Sequence, residues 1–364
     1  MYIQNLTVDK FRNYEHESLS LSPGTNIFYG NNAQGKTNLL EAVYLFSSGK
    51  SHRARTDAEL IKFGENIATL SLSFSDSQRD FNAIMRFSKD GKKQIKINNV
   101  PIKKLSMLMS YLNVVMFSPE DLEMVKGAPS ARRRFIDESI SQLYPNYLSN
   151  LITYHKILMQ KNSLLRSLHS SSAQSDATLE IWNEQLASCG ALIYRYRRDF
   201  IGKINEISRL VHKDISGEEF KLLYHPGIKL SESDDKLCEN FYEALLKNQK
   251  REIEMGTSLI GIQRDDLKIF INDNDAKLFG SQGQQRTCVL TLKMAETEFI
   301  KSVRDEYPVL LLDDIMSELD ENRRTYLRER ITDKQVLLTC TDADIVKISD
   351  NAAMFHIENG QIKK

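Results

Sequence analysis

Apolar residues alternate with polar ones near the start of the chain: Ile3, Leu6, Val8 and Phe11, then Leu19 and Leu21, then Ile27-Phe28-Tyr29. This period of two predicts short strands separated by polar turns. The period then lengthens. Leu39, Leu40, Val43, Tyr44 and Leu45 share one side of a helix that should begin near Lys36. Strand patterning returns over 67–100, where Phe81–Phe87 and Gln94–Val100 flank Asp90-Gly91, a hairpin turn. Beyond Pro129 the spacing is helical, over 131–168 and 178–213, with Ser167–Ala177 predicted as a mobile tip between two antiparallel helices. A further helix is predicted over 236–254. Strands follow at 267–271 and 307–312 with a helix over 283–304 between them, and the last strand, Gln335–Thr339, precedes a short tail.

The pattern describes an α/β chain with mixed sheets, interrupted by a helical lobe. Residues 1–130 and 256–364 should form one discontinuous head, and 131–255 a helical insertion. No internal repeat interrupts this order.

Composition narrows the class. Of 364 residues, 41% are hydrophobic and 27% charged, which excludes wholesale disorder. The 49 Lys and Arg balance 49 Asp and Glu, so the chain is no polycation. Cys189, Cys238, Cys288 and Cys340 form no C-x-x-C pair, which argues against zinc or a disulfide framework. There is no basic, apolar leader and no long apolar run, so a cytoplasmic protein without membrane association is expected.

Gly30-Asn31-Asn32-Ala33-Gln34-Gly35-Lys36-Thr37 matches G-x-x-x-x-G-K-[ST] between a predicted strand and a predicted helix. The two glycines let successive N–H groups converge on phosphate, and the helix adds its positive end. Lys36 is placed to reach the β- and γ-phosphates, and the Thr37 hydroxyl to ligate Mg²⁺. The chain is therefore expected to bind a nucleoside triphosphate. Val309-Leu310-Leu311-Leu312 reads as a buried parallel strand ending in Asp313-Asp314. Asp313 is the expected second holder of Mg²⁺. Asp314 is the expected catalytic group that orients or deprotonates water. Alone, such a pair also fits a helix N-cap.

Upstream lies Ser281-Gln282-Gly283-Gln284 and downstream Ser317-Glu318-Leu319-Asp320. The order phosphate loop, insertion, S-x-G-Q, acidic strand and S-x-L-D resembles the ABC-type ATPase head. The likeness tightens at Phe11-Arg12-Asn13-Tyr14, Phe117–Leu122, Pro129–Asp137 and Arg264-Asp265-Asp266-Leu267, which together resemble the RecF family of bacterial recombination mediators, in the SMC-like branch. Thr37 and Ser281 are 244 positions apart, too few for the long rod of a full SMC protein. The resemblance implies that Arg12 and Asn13 join an ATP–Mg²⁺ site. It also implies that Ser281, Gln282, Gly283 and Gln284 act as a signature in trans on a second subunit's γ-phosphate, and that ATP drives an ATP-dependent homodimer. It further implies a role in gap repair and replication restart, with RecR and RecO as partners, while the shorter carboxylate of Asp314, where transporter heads carry Glu, predicts slow ATP hydrolysis. Two departures stand out. Gly261-Ile262-Gln263 replaces the family's Gly-Pro-His, and Thr339-Cys340-Thr341-Asp342 stands where transporter ATPases carry a switch His.

Charge is segregated. Residues 86–104 hold seven cations and one acid, 126–134 hold four cations and no acid, and Lys50, His52, Arg53 and Arg55 form a third cluster. Residues 305–321 hold seven acids and no Lys or Arg. Arg53, Arg55, Lys92, Lys93, Lys96, Arg132 and Arg133 are the candidates for contacts to DNA, single- or double-stranded, without sequence specificity. Two alternatives stand beside this: Arg132–Arg134 at a helix start can pair with carboxylates such as Glu138, and Arg53 and Arg55 can reach the nucleotide instead. The rival class is the nucleotide-binding subunit of a membrane transporter, which the large insertion and the missing switch His disfavour.

Overall fold

The computed structural model describes residues 1–171, 177–341 and 352–363. They divide into two compact units, Met1–Asp121 with Val289–Lys364, and Leu122–Cys288.

In the first unit, a six-stranded antiparallel sheet has the order His16–Ser20, Tyr2–Asp9, Ile67–Ser75, Asp80–Ser88, Lys93–Ile97, Val100–Pro101. Ile3 and Leu6 both face the core although strict alternation would oppose them. A register shift between Ile3 and Asn5 absorbs the extra residue. A second six-stranded sheet has the order Gln361–Lys363, Ala353–Glu358, Thr25–Tyr29, Val336–Cys340, Val309–Asp313, Val114–Phe117. All its pairings are parallel except that of Gln361–Lys363. The helix Lys36–Ser48 follows Thr25–Tyr29, and Leu39, Leu40 and Val43 join Phe28, Leu311 and Leu337 in a continuous core with Leu6, Leu70 and Phe74. Each such side chain removed from water contributes about 1.5–3 kcal/mol.

The strands expected at 307–312 and 335–339 are present, but the second is not the last. Ala353–Glu358 adds beside Thr25–Tyr29 by backbone pairing and buries only Ile357 fully, so it carries almost no hydrophobic signal. Asp342, at the end of the segment in the switch position, lies outside the described residues.

In the second unit, the helical stretch from 131 is two helices, Pro129–Leu143 and Pro145–Ser171. Tyr144 between them is extended (φ −127°, ψ 91°), as the residue before a proline prefers. The expected tip begins later than 167, because the helix runs to Ser171; residues 172–176 lie outside the described residues. Ala177–Ser216 and Asp234–Met255 complete the helices. Ser233 caps the latter by accepting from Lys236 N, and Gly256 ends it at φ 63°. Phe220–His225 pairs with Asp266–Ile271 in a three-stranded sheet, which ties 256–288 to this unit as well as the helical segment.

A buried guanidinium organises this unit. Arg197, 1% exposed, donates to Asp265 Oδ2 at 2.7 Å, to Asp137 Oδ1 at 2.8 Å and to the Ile262 carbonyl at 2.9 Å. Asp265 also accepts from Tyr224, Tyr194 and Gly227 N. The Arg-Asp-Asp-Leu segment thus has a packing role: Asp265 is one end of a satisfied polar network.

Candidate functional site

The phosphate loop leaves the strand Thr25–Tyr29 and enters the helix Lys36–Ser48. Gly30 (φ 143°) and Gly35 (φ 116°) both occupy backbone open mainly to glycine. A Cβ on Gly30 would collide with the Ile357 carbonyl, and one on Gly35 would lie 2.7 Å from Asn13 Nδ2. The loop is therefore gripped from two sides. Asn13 Nδ2 donates to Gln34 O at 2.9 Å and the buried Tyr14 hydroxyl donates to Gly35 O at 2.9 Å. Burial raises the pKa of the Tyr14 hydroxyl, with a smaller push from Glu17, so it stays a donor. The second grip comes from the C-terminal hairpin. Gly360 N donates to Gln34 O at 3.0 Å and Asn359 N to Gln34 Oε1 at 2.6 Å. No periodicity signalled that brace; its only trace in the sequence is Asn359-Gly360, a turn pair.

Lys36 is 8% exposed and donates to the carbonyls of Gly30 at 2.6 Å and Asn31 at 2.8 Å. Burial pulls its pKa down from 10.5, opposed by Asp314, Cys340 and Asp313. Thr37 Oγ1 donates to Asp313 Oδ1 at 2.8 Å, so the two expected Mg²⁺ holders meet across 276 positions of sequence. Thr339, from the neighbouring parallel strand, donates to the same oxygen at 2.7 Å and accepts from Asp314 N at 2.9 Å. This buried hydroxyl braces the acidic pair from below. Asp314 itself is left-handed (φ 51°), with a half-exposed carboxylate that accepts from Ser317 Oγ. Such backbone is unusual for a residue with a side chain and clusters at functional sites.

No group of three His, Cys, Asp or Glu able to hold a metal occurs among the described residues. The donor set of one hydroxyl and one carboxylate at a phosphate loop fits Mg²⁺, which takes few protein ligands and completes its shell with phosphate and water.

Arg12 is anchored. Its Nε and Nη2 donate to Glu41 at 2.8 and 2.7 Å, and its Nη1 to Glu59 O at 3.0 Å. Glu41, fully buried, also accepts from Ser51. Burial alone would raise the Glu41 pKa, but the hydrogen bonds from Arg12 and Ser51, with the charges of Arg12 and Arg53, hold it below 4.5. The stabilisation is therefore complete above that pH and is lost as pH falls through the depressed value. Glu41→Gln should cost about 1–3 kcal/mol at pH 7. Its gap to the wild type in urea unfolding should narrow as pH drops below 4.5; a gap independent of pH would contradict the assignment. Sequence reasoning missed Glu41, since a lone Glu on a helix carries no motif.

The cation candidates separate. Arg53 Nη1 donates to Asn38 Oδ1 at 3.1 Å, and Asn38 Nδ2 to Asn13 Oδ1 at 2.9 Å, so Arg53 belongs to the shell of the phosphate loop. His52, in the same stretch, packs edge-on against Tyr44, and burial lowers its pKa, keeping it neutral. Lys92 pairs with Asp90 at 2.9 Å. Lys93 is anchored to Gly49 O at 2.5 Å and to Asp57. The expectation for Arg132 is overturned: it is 6% exposed and spends four of its five N–H groups inside the protein, on both Asp266 oxygens at 2.7 and 3.1 Å and on two carbonyls, so it is not placed to contact DNA. Arg133 donates to Asp265 O at 2.8 Å, and Arg134 pairs with Glu138 one turn on.

In the second unit, Ser281 caps the helix Gln282–Arg304. Gln284 N donates to Ser281 Oγ at 3.2 Å and Gln284 Oε1 accepts from Ser281 N at 3.0 Å, a reciprocal capping box. Gln284 Nε2 also donates to Glu218 at 2.8 Å. Ser281 and Gln282 are exposed, and Gly283 is half-buried. The S-x-G-Q spacing thus builds a capped, solvent-facing helix N-terminus.

A phosphate loop on a mainly parallel sheet, an acidic strand end beside it and an antiparallel sheet in the same unit define an ABC-type ATPase head. The family model "RecF/RecN/SMC N terminal domain" matches residues 2–363. The DNA replication and repair protein RecF of Clostridium beijerinckii is 40% identical over 366 residues, covering 100% of this chain and 98% of that protein. RecF of Ruminiclostridium cellulolyticum is 43% identical over 369 residues, covering 100% and 99%. The chain belongs to the RecF family. Among solved structures, the recombination mediator protein RecF in the RecFOR pathway superposes with TM-score 0.94 in its ATPrS form and 0.91 in its ATP form. Each is 34% identical over 100% of this chain and covers 98% and 97% of the other, respectively. An Smc head bound to the C-winged helix domain of ScpA superposes at TM-score 0.59 and 15% identity, a likeness of fold alone.

Proposed function

We propose that this chain is an ATP-gated DNA-binding recombination mediator that acts in repair of single-strand gaps and in replication restart. The observation that carries the proposal is the meeting of Thr37, Asp313 and Thr339 around one carboxylate oxygen beside a gripped phosphate loop. Backbone N–H groups of Gly30–Thr37 receive the β-phosphate and Lys36 reaches the γ-phosphate; Thr37 and Asp313 would hold Mg²⁺, which would supply charge neutralisation at the phosphates. Asp314 orients the attacking water and takes its proton. A carboxylate one methylene shorter than glutamate reaches less far, which favours slow turnover. Ser281 and Gly283, at an exposed helix N-terminus, close on the γ-phosphate held by a second copy, so neither subunit completes a site alone. Closure brings two sets of cations onto DNA, and hydrolysis reopens the dimer. RecR and RecO are the partners this reading carries over from the RecFOR pathway named for the solved RecF structures.

Sedimentation velocity with ATP and with ADP, each with and without duplex DNA, tests the reading. ATP should yield a dimer that takes up DNA and releases it as salt rises, whereas ADP should leave monomers. A chain that stays monomeric with ATP and ignores DNA would overturn the proposal.

A further inference from the structure

Lys50 and Lys103 are 53 positions apart in sequence, in two different basic clusters. The fold joins them. Gly49 ends the helix Lys36–Ser48 in the left-handed conformation (φ 67°), packed so closely on Leu105 that a Cβ there would collide with it. Beside this contact opens a cavity of about 520 Å³, lined by Lys50, Arg55, Lys93, Lys103 and Lys104, with Asp57 the one acid in its wall. Asp57 is already engaged by Lys93 at 3.3 Å, and Lys93 lies over the Phe87 ring at 4.8 Å. Lys50, Arg55, Lys103 and Lys104 are exposed and have no ion-pair partner among the described residues.

Four uncompensated cations around one concavity repel each other; Ala54, Ile95, Ile102 and Leu105 also line the wall, but they do nothing to offset that charge. A ligand with repeated negative charge relieves that repulsion. The hairpin next door is different. Successive side chains of a strand point to opposite faces, so Lys96 is turned away from the face on which Lys93 and Ile95 line the cavity. Lys92 faces Asp90 at 2.9 Å, an exposed pair that offsets part of its charge.

We propose that this cavity seats backbone phosphates of duplex DNA, held by Lys50, Arg55, Lys103 and Lys104, and that the hairpin lysines contribute little. The assignment of DNA rests on the function proposed above; the assignment of a phosphate-bearing polyanion rests on the cavity alone.

The test uses the full chain with ATP and Mg²⁺ and measures fluorescence anisotropy of a labelled duplex across 50–200 mM salt, the range over which phosphate contacts are read. A triple variant, Lys50→Gln with Lys103→Gln and Lys104→Gln, is compared with a charge-matched one, Lys89→Gln with Lys92→Gln and Lys96→Gln. The cavity triple should bind DNA at least ~10-fold more weakly at low salt, with a log–log salt slope shallower by about 2–3. The hairpin triple should change affinity less than about twofold. Both should bind a fluorescent ATP analogue as the wild type does. Should the cavity triple lose ATP binding, the single variant Lys103→Gln replaces it and should flatten the slope by about 0.9. Equal losses in the two triples, or an unchanged slope in the cavity variant, overturn the inference. A cavity triple that loses inorganic tripolyphosphate binding but keeps its DNA affinity marks a free-polyphosphate site and also overturns it. A wild type that binds no DNA overturns the proposed function instead, a distinct result.

Discussion

Lys36→Met should weaken nucleotide binding about a hundredfold, and with it the proposed ATP-driven dimerisation, while leaving the fold intact. The ammonium group is almost buried, and in the loop it donates only to two backbone carbonyls, at 2.6 and 2.8 Å. Those bonds hold Nζ within the loop's concavity, where a triphosphate's oxygens would replace the carbonyls. A charged hydrogen bond to phosphate contributes roughly 3 kcal/mol, which corresponds to about a hundredfold in affinity. Methionine keeps the aliphatic stem and its packing, so unfolding by urea should shift by less than about 1 kcal/mol. Isothermal titration with ATP and sedimentation with ATP are the measurements. Wild-type ATP affinity in the variant would retire the phosphate-loop assignment.

The second large effect is structural. Arg197→Met should destabilise the Leu122–Cys288 unit by about 3–5 kcal/mol, because it strands Asp265, 0% exposed, and the largely covered Asp137 without their cation. Burial opposes the Arg197 charge, but Asp137 and the other groups around it outweigh burial and hold its pKa above the ordinary value. Arg197→Lys should rescue little. One ammonium cannot reproduce a fork that serves Asp137, Asp265, Tyr147 and the Ile262 carbonyl together. Hydrogen exchange should show faster opening across Ala177–Ser216 and Asp266–Ile271, with the phosphate-loop helix unaffected. Loss of protection at Lys36–Ser48 alone would contradict this account.

Much of the site was legible because its chemistry is local. A phosphate loop needs glycines at fixed backbone positions and a lysine at the helix start, and those demands are met within eight consecutive residues. The acidic strand end was legible for the same reason: a parallel strand buried on both faces must be a run of apolar residues, and its polar end must face the ligand. The strands Val114–Phe117 and Ala353–Glu358 escaped notice, one because four apolar residues also suit a helix, the other because it pairs by backbone and hides only Ile357 fully.

The sequence by itself determined the class of chemistry, a phosphate loop and an acidic strand end, together with much of the order of strands and helices that carries them. Tertiary structure alone decided which charges are free. Arg132 and Arg53 look alike in sequence, yet one is closed off by Asp266 and the other leans on Asn38. Lys50 and Lys103 belong to separate runs, yet they line one cavity. The physical reason is that a charge is neutralised or left open by whatever the fold brings within about 4 Å of it, and composition cannot register that distance. Equal totals of 49 cations and 49 anions therefore coexist with a concavity holding four unpaired cations.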